Sequence, residues 1–112
     1  MFNNQIFERI VTKQYNSFTD FPYTLNDVLC IFNIYFDAYR AYTGREHPFL
    51  KPQQVRDIIF KMPFCDDIPI FPEDYPEMID AYFNAGLHTD YNINHFFSGM
   101  VREMRLYERG EL

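Results

Sequence analysis

Apolar positions recur with helical period along most of this chain. Over residues 4–15, Ile6, Ile10, Val11 and Tyr15 fall on one face, which predicts a first helix. After a loop containing Asp20 and Pro22, Thr24 is a good helix N-cap. Asp27, three residues on, is an acidic relative of the capping-box residue. From there Leu25, Val28, Leu29, Phe32, Tyr35, Phe36, Tyr39 and Tyr42 make one stripe, widened by Ile31, Ile34 and Ala38. Asn26, Asn33, Asp37 and Arg40 leave only a narrow polar strip. A helix this apolar belongs at the centre of the fold, and Gly44 stands where a C-cap glycine belongs.

Pro52 sits at the favoured first position of a third helix. Its inner side is Val55, Ile58, Ile59 and Met62. Its wet side is Gln54, Arg56, Asp57 and Lys61, and Pro63 stops it. Three prolines between 63 and 72 forbid a regular helix there, so a short edge strand or an extended loop is expected. A fourth helix starts near Pro76, buries Met78, Ile79, Tyr82 and Phe83, and ends at Gly86. In the last segment Ile93, Phe96, Phe97, Met100, Val101, Met104 and Tyr107 all fit a helical template starting near Asp90 or Asn92. Gly99 is the one objection, and a strand over 100–107 is the alternative. The expected fold is all-α: one compact bundle of about five helices spanning residues 1–112 as a single domain. Its C-terminal end would be helix–turn–helix-like, although 85–92 is longer than the usual three- or four-residue turn.

Composition narrows the function. The 112 residues are 47% hydrophobic and 20% aromatic, enough for a sizeable core. The longest unbroken apolar run, Val28 to Phe32, is far short of the roughly 20 residues a membrane span needs. No basic region followed by an apolar stretch opens the chain, so no secretory signal is read and a cytoplasmic location is expected. The two cysteines, Cys30 and Cys65, are 35 positions apart, whereas a disulfide-stapled secreted domain would show more cysteines at tighter spacing, so both are expected in core or half-buried positions. Nine tyrosines cannot all be buried with satisfied hydroxyls in so small a domain. Some should reach a surface, where Tyr serves interfaces such as a homodimer or a docking face.

Net charge is −6, and the whole deficit lies in residues 66–90, which carry seven acids and no Lys or Arg. That excludes coating nucleic acid by bulk charge, though not a local basic face. Glu73, Asp74 and Glu77 suit the positive end of the fourth helix. Asp66, Asp67, Glu73 and Asp74 are hard oxygen donors, but their spacing lacks the calcium-loop pattern. A face for a basic partner is a further reading of the segment. His88, Asp90 and His95 could approach one another at a helix start, but zinc needs more ligands in tighter geometry. Neither Ser17 nor Ser98 lies in a nucleophile elbow, and four scattered glycines make no phosphate loop. No enzyme, metal or small-molecule cofactor is expected.

One surface stands out. On a continuous fifth helix the outer face carries Asn94, His95, Ser98, Arg102, Arg105 and Arg109, side chains that read base edges and grip phosphates. Glu103 and Glu108 dilute its charge. The stretch Asp90-Tyr-Asn-Ile-Asn-His-Phe-Phe-Ser-Gly-Met-Val-Arg-Glu-Met-Arg-Leu-Tyr-Glu108 resembles uncharacterised small helical proteins from mobile elements and phages of Gram-positive bacteria, with a vaguer echo from Tyr23 to Phe64. That resemblance implies an accessory role in replication, transfer or regulation and supplies no catalytic residues. The expected function is a small non-catalytic interaction protein with a protein partner or a second copy of itself. DNA binding through the Asn94–Arg109 face is the alternative.

Overall fold

Thr24 shows most directly how local chemistry sets this fold. In a computed structural model describing residues 4–65, 68–86 and 90–100, the Thr24 hydroxyl accepts the Asp27 N–H and the Asp27 carboxylate accepts the Thr24 N–H, both at 3.1 Å. This reciprocal cap starts the longest helix, α2 (Leu25–Thr43). Gly44 ends it at φ 72°, with its N–H on the Arg40 carbonyl. A Cβ at Gly44 would meet nothing within 4 Å. Gly44→Ala therefore carries only the left-handed backbone cost, about 1 kcal/mol. A thermal melt should show a fall of roughly 4 °C. Gly44→Asn should recover most of it, because Asn tolerates this conformation; equal losses for the two variants would contradict a purely backbone cost.

The other helices are α1 (Asn4–Tyr15), α3 (Pro52–Lys61) and α4 (Tyr75–Ala85). Pro52 opens α3, where the Gln54 amide oxygen accepts the Lys51 N–H. Val55, Ile58, Ile59 and Met62 are all buried, as their spacing predicts, while on the opposite side Gln54 and Arg56 are half-buried and Asp57 and Lys61 exposed. After Pro63 the chain makes a minimal antiparallel pair, β1 (Phe64–Cys65) with β2 (Ile68–Pro69). A 3-10 turn, Pro72–Asp74, leads into α4, which ends at Gly86 in the left-handed conformation. The protein is thus mostly helical with a two-stranded addition.

Helix α1 packs on α3 and α2, and α2 packs on α4. Phe7 stands edge-on to Phe32 and Phe36 of α2, at 5.1 and 5.2 Å. On the other side of α2, Tyr35 meets Phe83 of α4 at 5.2 Å. The radius of gyration, 13.5 Å, is close to the roughly 13 Å of a compact chain of this length. The shortest dimension, 20 Å, is about two helix diameters. Among the described residues no helix is long and apolar enough to cross a membrane.

Two expectations are corrected. Cys30 is exposed, whereas Cys65 is half-buried, within what its sequence suggested. Cys30 follows Asn26 by four residues and precedes Asn33 by three, so it lies on the polar strip of α2. As expected, not all the tyrosines are buried: Tyr42 is exposed and Tyr15 half-buried, while Tyr23, Tyr35, Tyr39, Tyr75, Tyr82 and Tyr91 are buried and Tyr107 lies outside the described residues. Burial is tolerated because hydroxyls donate to main-chain carbonyls: Tyr35 to Tyr91, Tyr75 to Met62, and Tyr23 to both Met62 and Ile70. Finally, the described part of the last segment, up to Met100, is not one α-helix. Helix α5 covers only Ile93–His95 and passes into a π-helical turn, Phe96–Met100. The wider turn seats both Phe96 and Phe97 in the core, against Tyr75 and its neighbours.

Candidate docking surface

The residues left outside this core define the candidate site. At the end of α1 the chain turns through Asn16 and Ser17, whose N–H groups donate back to Thr12 and Gln14. The Tyr15 hydroxyl donates to the Tyr23 carbonyl at 2.6 Å and draws the loop 16–23 back onto the helix end. That fold-back brings Phe18 and Phe21 together at 5.1 Å and sets Phe21 against Tyr15 and Tyr23. Asp20 takes a left-handed backbone, φ 54°, at the tip. Tyr23 then crosses to the far wall, where its hydroxyl reaches Met62 and Ile70.

The far wall is the end of α3 and the start of β1. Phe60, Lys61, Pro63 and Phe64 face Phe18, Asp20, Phe21 and Pro22 across a groove of about 670 Å³. That volume lies within the usual range for a ligand site. Phe60 is 68% exposed and Phe64 54% exposed. Phe60 stacks on Phe18 at 6.4 Å, and the Arg56 guanidinium covers the Phe18 ring at 4.7 Å. The groove thus has an aromatic interior, with one carboxylate and one ammonium on its lining. It can bury apolar groups and position polar atoms at its rim.

Sequence reasoning missed this site. The available signal was Phe60, a large apolar residue out of phase with the Val55–Met62 stripe of its helix. Of the residues singled out on the last segment, Asn94 is half-buried, and its side-chain amide and main-chain N–H both donate to the Asn92 side-chain oxygen. His95 is exposed and lies 3.5 Å from Asp90. Ser98 is exposed, with its hydroxyl on the His95 carbonyl. Arg102, Arg105 and Arg109 lie outside the described residues, as do His88, Asp66 and Asp67. Among the described residues no three His, Cys, Asp or Glu side chains gather as a metal site requires. Glu73, Glu77, Asp80 and Asp90 are exposed, and the Asp74 carboxylate accepts the Phe71 N–H.

His47, assigned only to a loop by the sequence, is buried. Its ring packs against Tyr35, Phe36 and Tyr39 at 6.2, 5.0 and 4.8 Å. Nδ1 faces the Pro48 carbonyl at 2.8 Å, and Nε2 accepts the Ile93 N–H at 2.9 Å. The pair assigns the neutral Nδ1–H tautomer. Burial holds the His47 pKa below the ordinary imidazole value, against smaller opposing effects of the Pro48 carbonyl and Asp90. Burial also raises the Tyr82 hydroxyl to about 12 and keeps Tyr35 protonated at any ordinary pH. No family model, curated protein or solved structure matches this chain.

Proposed function

We propose that this chain is a small non-catalytic interaction protein that captures a protein partner in the Phe18–Phe21–Phe60–Phe64 groove. The carrying observation is the exposure of Phe60 and Phe64 on a groove whose Phe21 ring packs against the buried Tyr23 and whose Phe18 ring lies under Arg56. Covering each exposed ring would contribute about 1–2 kcal/mol from burial alone. Aromatic side chains in a desolvated pocket are also where binding energy concentrates. The occupant that fits is a partner segment presenting one or two large apolar side chains, with polar groups met by Asp20 and Lys61.

We further infer a five-helix bundle with α4 and α5 as a helix–turn–helix-like pair. The exposed Cys30 thiol is at home in a reducing cytoplasm. The resemblance of 90–108 makes a phage or mobile element the natural setting for the partner. A second reading is DNA contact through the last segment, favoured by the exposure of His95 and Ser98 beside a stretch that continues to Arg102, Arg105 and Arg109.

A displayed random-peptide library selected on the purified protein tests the main reading. The selected peptides should share a bulky apolar anchor. Their affinity should fall at least about tenfold in Phe60→Ser and Phe64→Ser, but not in Phe49→Ser, an exposed phenylalanine outside the groove. Equal binding to all three variants would sink it. A dimer that Phe60→Ser dissociates would make a second copy the occupant. DNA affinity that falls steeply with salt, and falls again in an Arg102→Ala/Arg105→Ala variant, would promote the second reading.

A further inference from the structure

His47 joins parts of the chain that are otherwise far apart in sequence. It lies in the loop after α2, with its ring on Tyr35, Phe36 and Tyr39 of that helix and its Nε2 on the first N–H of α5. Beside it, the Tyr35 hydroxyl holds the Tyr91 carbonyl at 2.6 Å. These two bonds pin both sides of residue 92, just where the last segment enters the core.

We propose that His47 is a pH-sensitive clasp: as a neutral imidazole it fastens the start of the last segment to α2, and on protonation it lets that segment go. The chemistry is a loss of acceptor. A neutral Nδ1–H imidazole has one lone pair, on Nε2, and Ile93 uses it. Imidazolium carries a proton on both nitrogens, so the Ile93 N–H would then face an N–H. The groups around the ring do not replace what is lost. From α2 the groups facing His47 are aromatic rings, those of Tyr35, Phe36 and Tyr39. On the histidine's own loop, Glu46 is paired with Arg40 at 3.3 Å. Ahead of α5, Asp90 is the nearby charge favouring protonation, and it is exposed with His95 at 3.5 Å. Burial among three rings outweighs it, so the charged ring has no good place in the closed structure. Release would uncover the rings that Phe96 covers, Tyr35 and Tyr82.

The direction in pH follows from linkage. Folding lowers the affinity of His47 for a proton, so the open chain protonates first. The clasp is therefore complete above the ordinary imidazole value of about 6.5 and is lost as pH falls from there toward the lower folded value. Amide hydrogen exchange on the full chain reads this at Ile93, after correction for the chemical pH dependence of exchange. Protection should fall on the order of tenfold between about pH 7 and pH 5, the scale of one buried hydrogen bond. His47→Gln places a neutral acceptor near the same point and should flatten the profile. The unaltered protein gives a second readout that needs no variant. Its imidazole ¹⁵N shifts should report the Nδ1–H tautomer and titrate in step with the Ile93 amide. Protection that stays level across the range, a fall of equal size in His47→Gln, or an imidazole that titrates without moving Ile93 would each overturn the clasp.

Discussion

Replacing Tyr35 with alanine is expected to cost about 4 kcal/mol and to lower Tm by roughly 15 °C. Tyr35 is fully buried at the middle of α2. Its ring meets His47, Tyr82, Phe83 and Phe96, so truncation opens a cavity bordered by the loop, α4 and the last segment together. These walls belong to different elements and cannot all close on the space, which places the cost near the upper end for aromatic truncations. The hydroxyl adds a separate part, because it holds the buried Tyr91 carbonyl at 2.6 Å. Tyr35→Phe isolates that part and should cost about 1–2 kcal/mol. Urea denaturation of the two variants divides packing from hydrogen bonding. An alanine variant that loses less than about 2 kcal/mol would mean that the surroundings collapse onto the space. A neutral Tyr35→Phe would mean that the Tyr91 carbonyl finds water instead.

Because of how Tyr35 is held, only part of this fold was legible in the sequence. Helices α1 to α4 were readable because their signals are local. The Thr24–Asp27 cap, the glycine at 44, the proline at 52 and the periodic stripes each act within a few residues. Even the error at Cys30 had a local remedy, since that residue keeps step with Asn26 and Asn33. The tyrosine network was not readable. Its hydroxyls find carbonyls 39, 47 and 56 positions away, and no spacing rule carries that information. The same limit hid His47, whose acceptor role depends on an N–H 46 positions distant. In the last segment a template of 3.6 residues per turn fits a π-helical turn almost as well as an α-helix over so few residues. The docking groove was missed for a different reason. Its walls come from a loop, a helix end and a two-residue strand, and apolar residues in such places read as spare core until the core is seen to be full.

The shared carbonyl of Met62 leads to the second large effect. Met62 follows the last residue of α3, where helical carbonyls lack partners within the helix. Two buried hydroxyls serve it: Tyr75 at 2.7 Å, and Tyr23 at 3.0 Å, which also donates to Ile70. Tyr75→Phe leaves Met62 with the Tyr23 hydroxyl and should cost about 1 kcal/mol. Tyr23→Phe also removes the hydroxyl from the Ile70 carbonyl and should cost about 1–2 kcal/mol. In the double variant the Met62 carbonyl loses both donors, so the loss should exceed the sum of the single losses by about 1 kcal/mol, for a total near 3–4 kcal/mol and a fall in Tm of more than 10 °C. A double-mutant cycle by chemical denaturation measures that excess directly. Additivity within about 0.5 kcal/mol would show that the two tyrosines act independently and that the Met62 carbonyl does not couple them. A positive excess would identify this one carbonyl as the joint that ties the aromatic loop, α3 and α4 together, and so as what keeps the groove open when no partner occupies it.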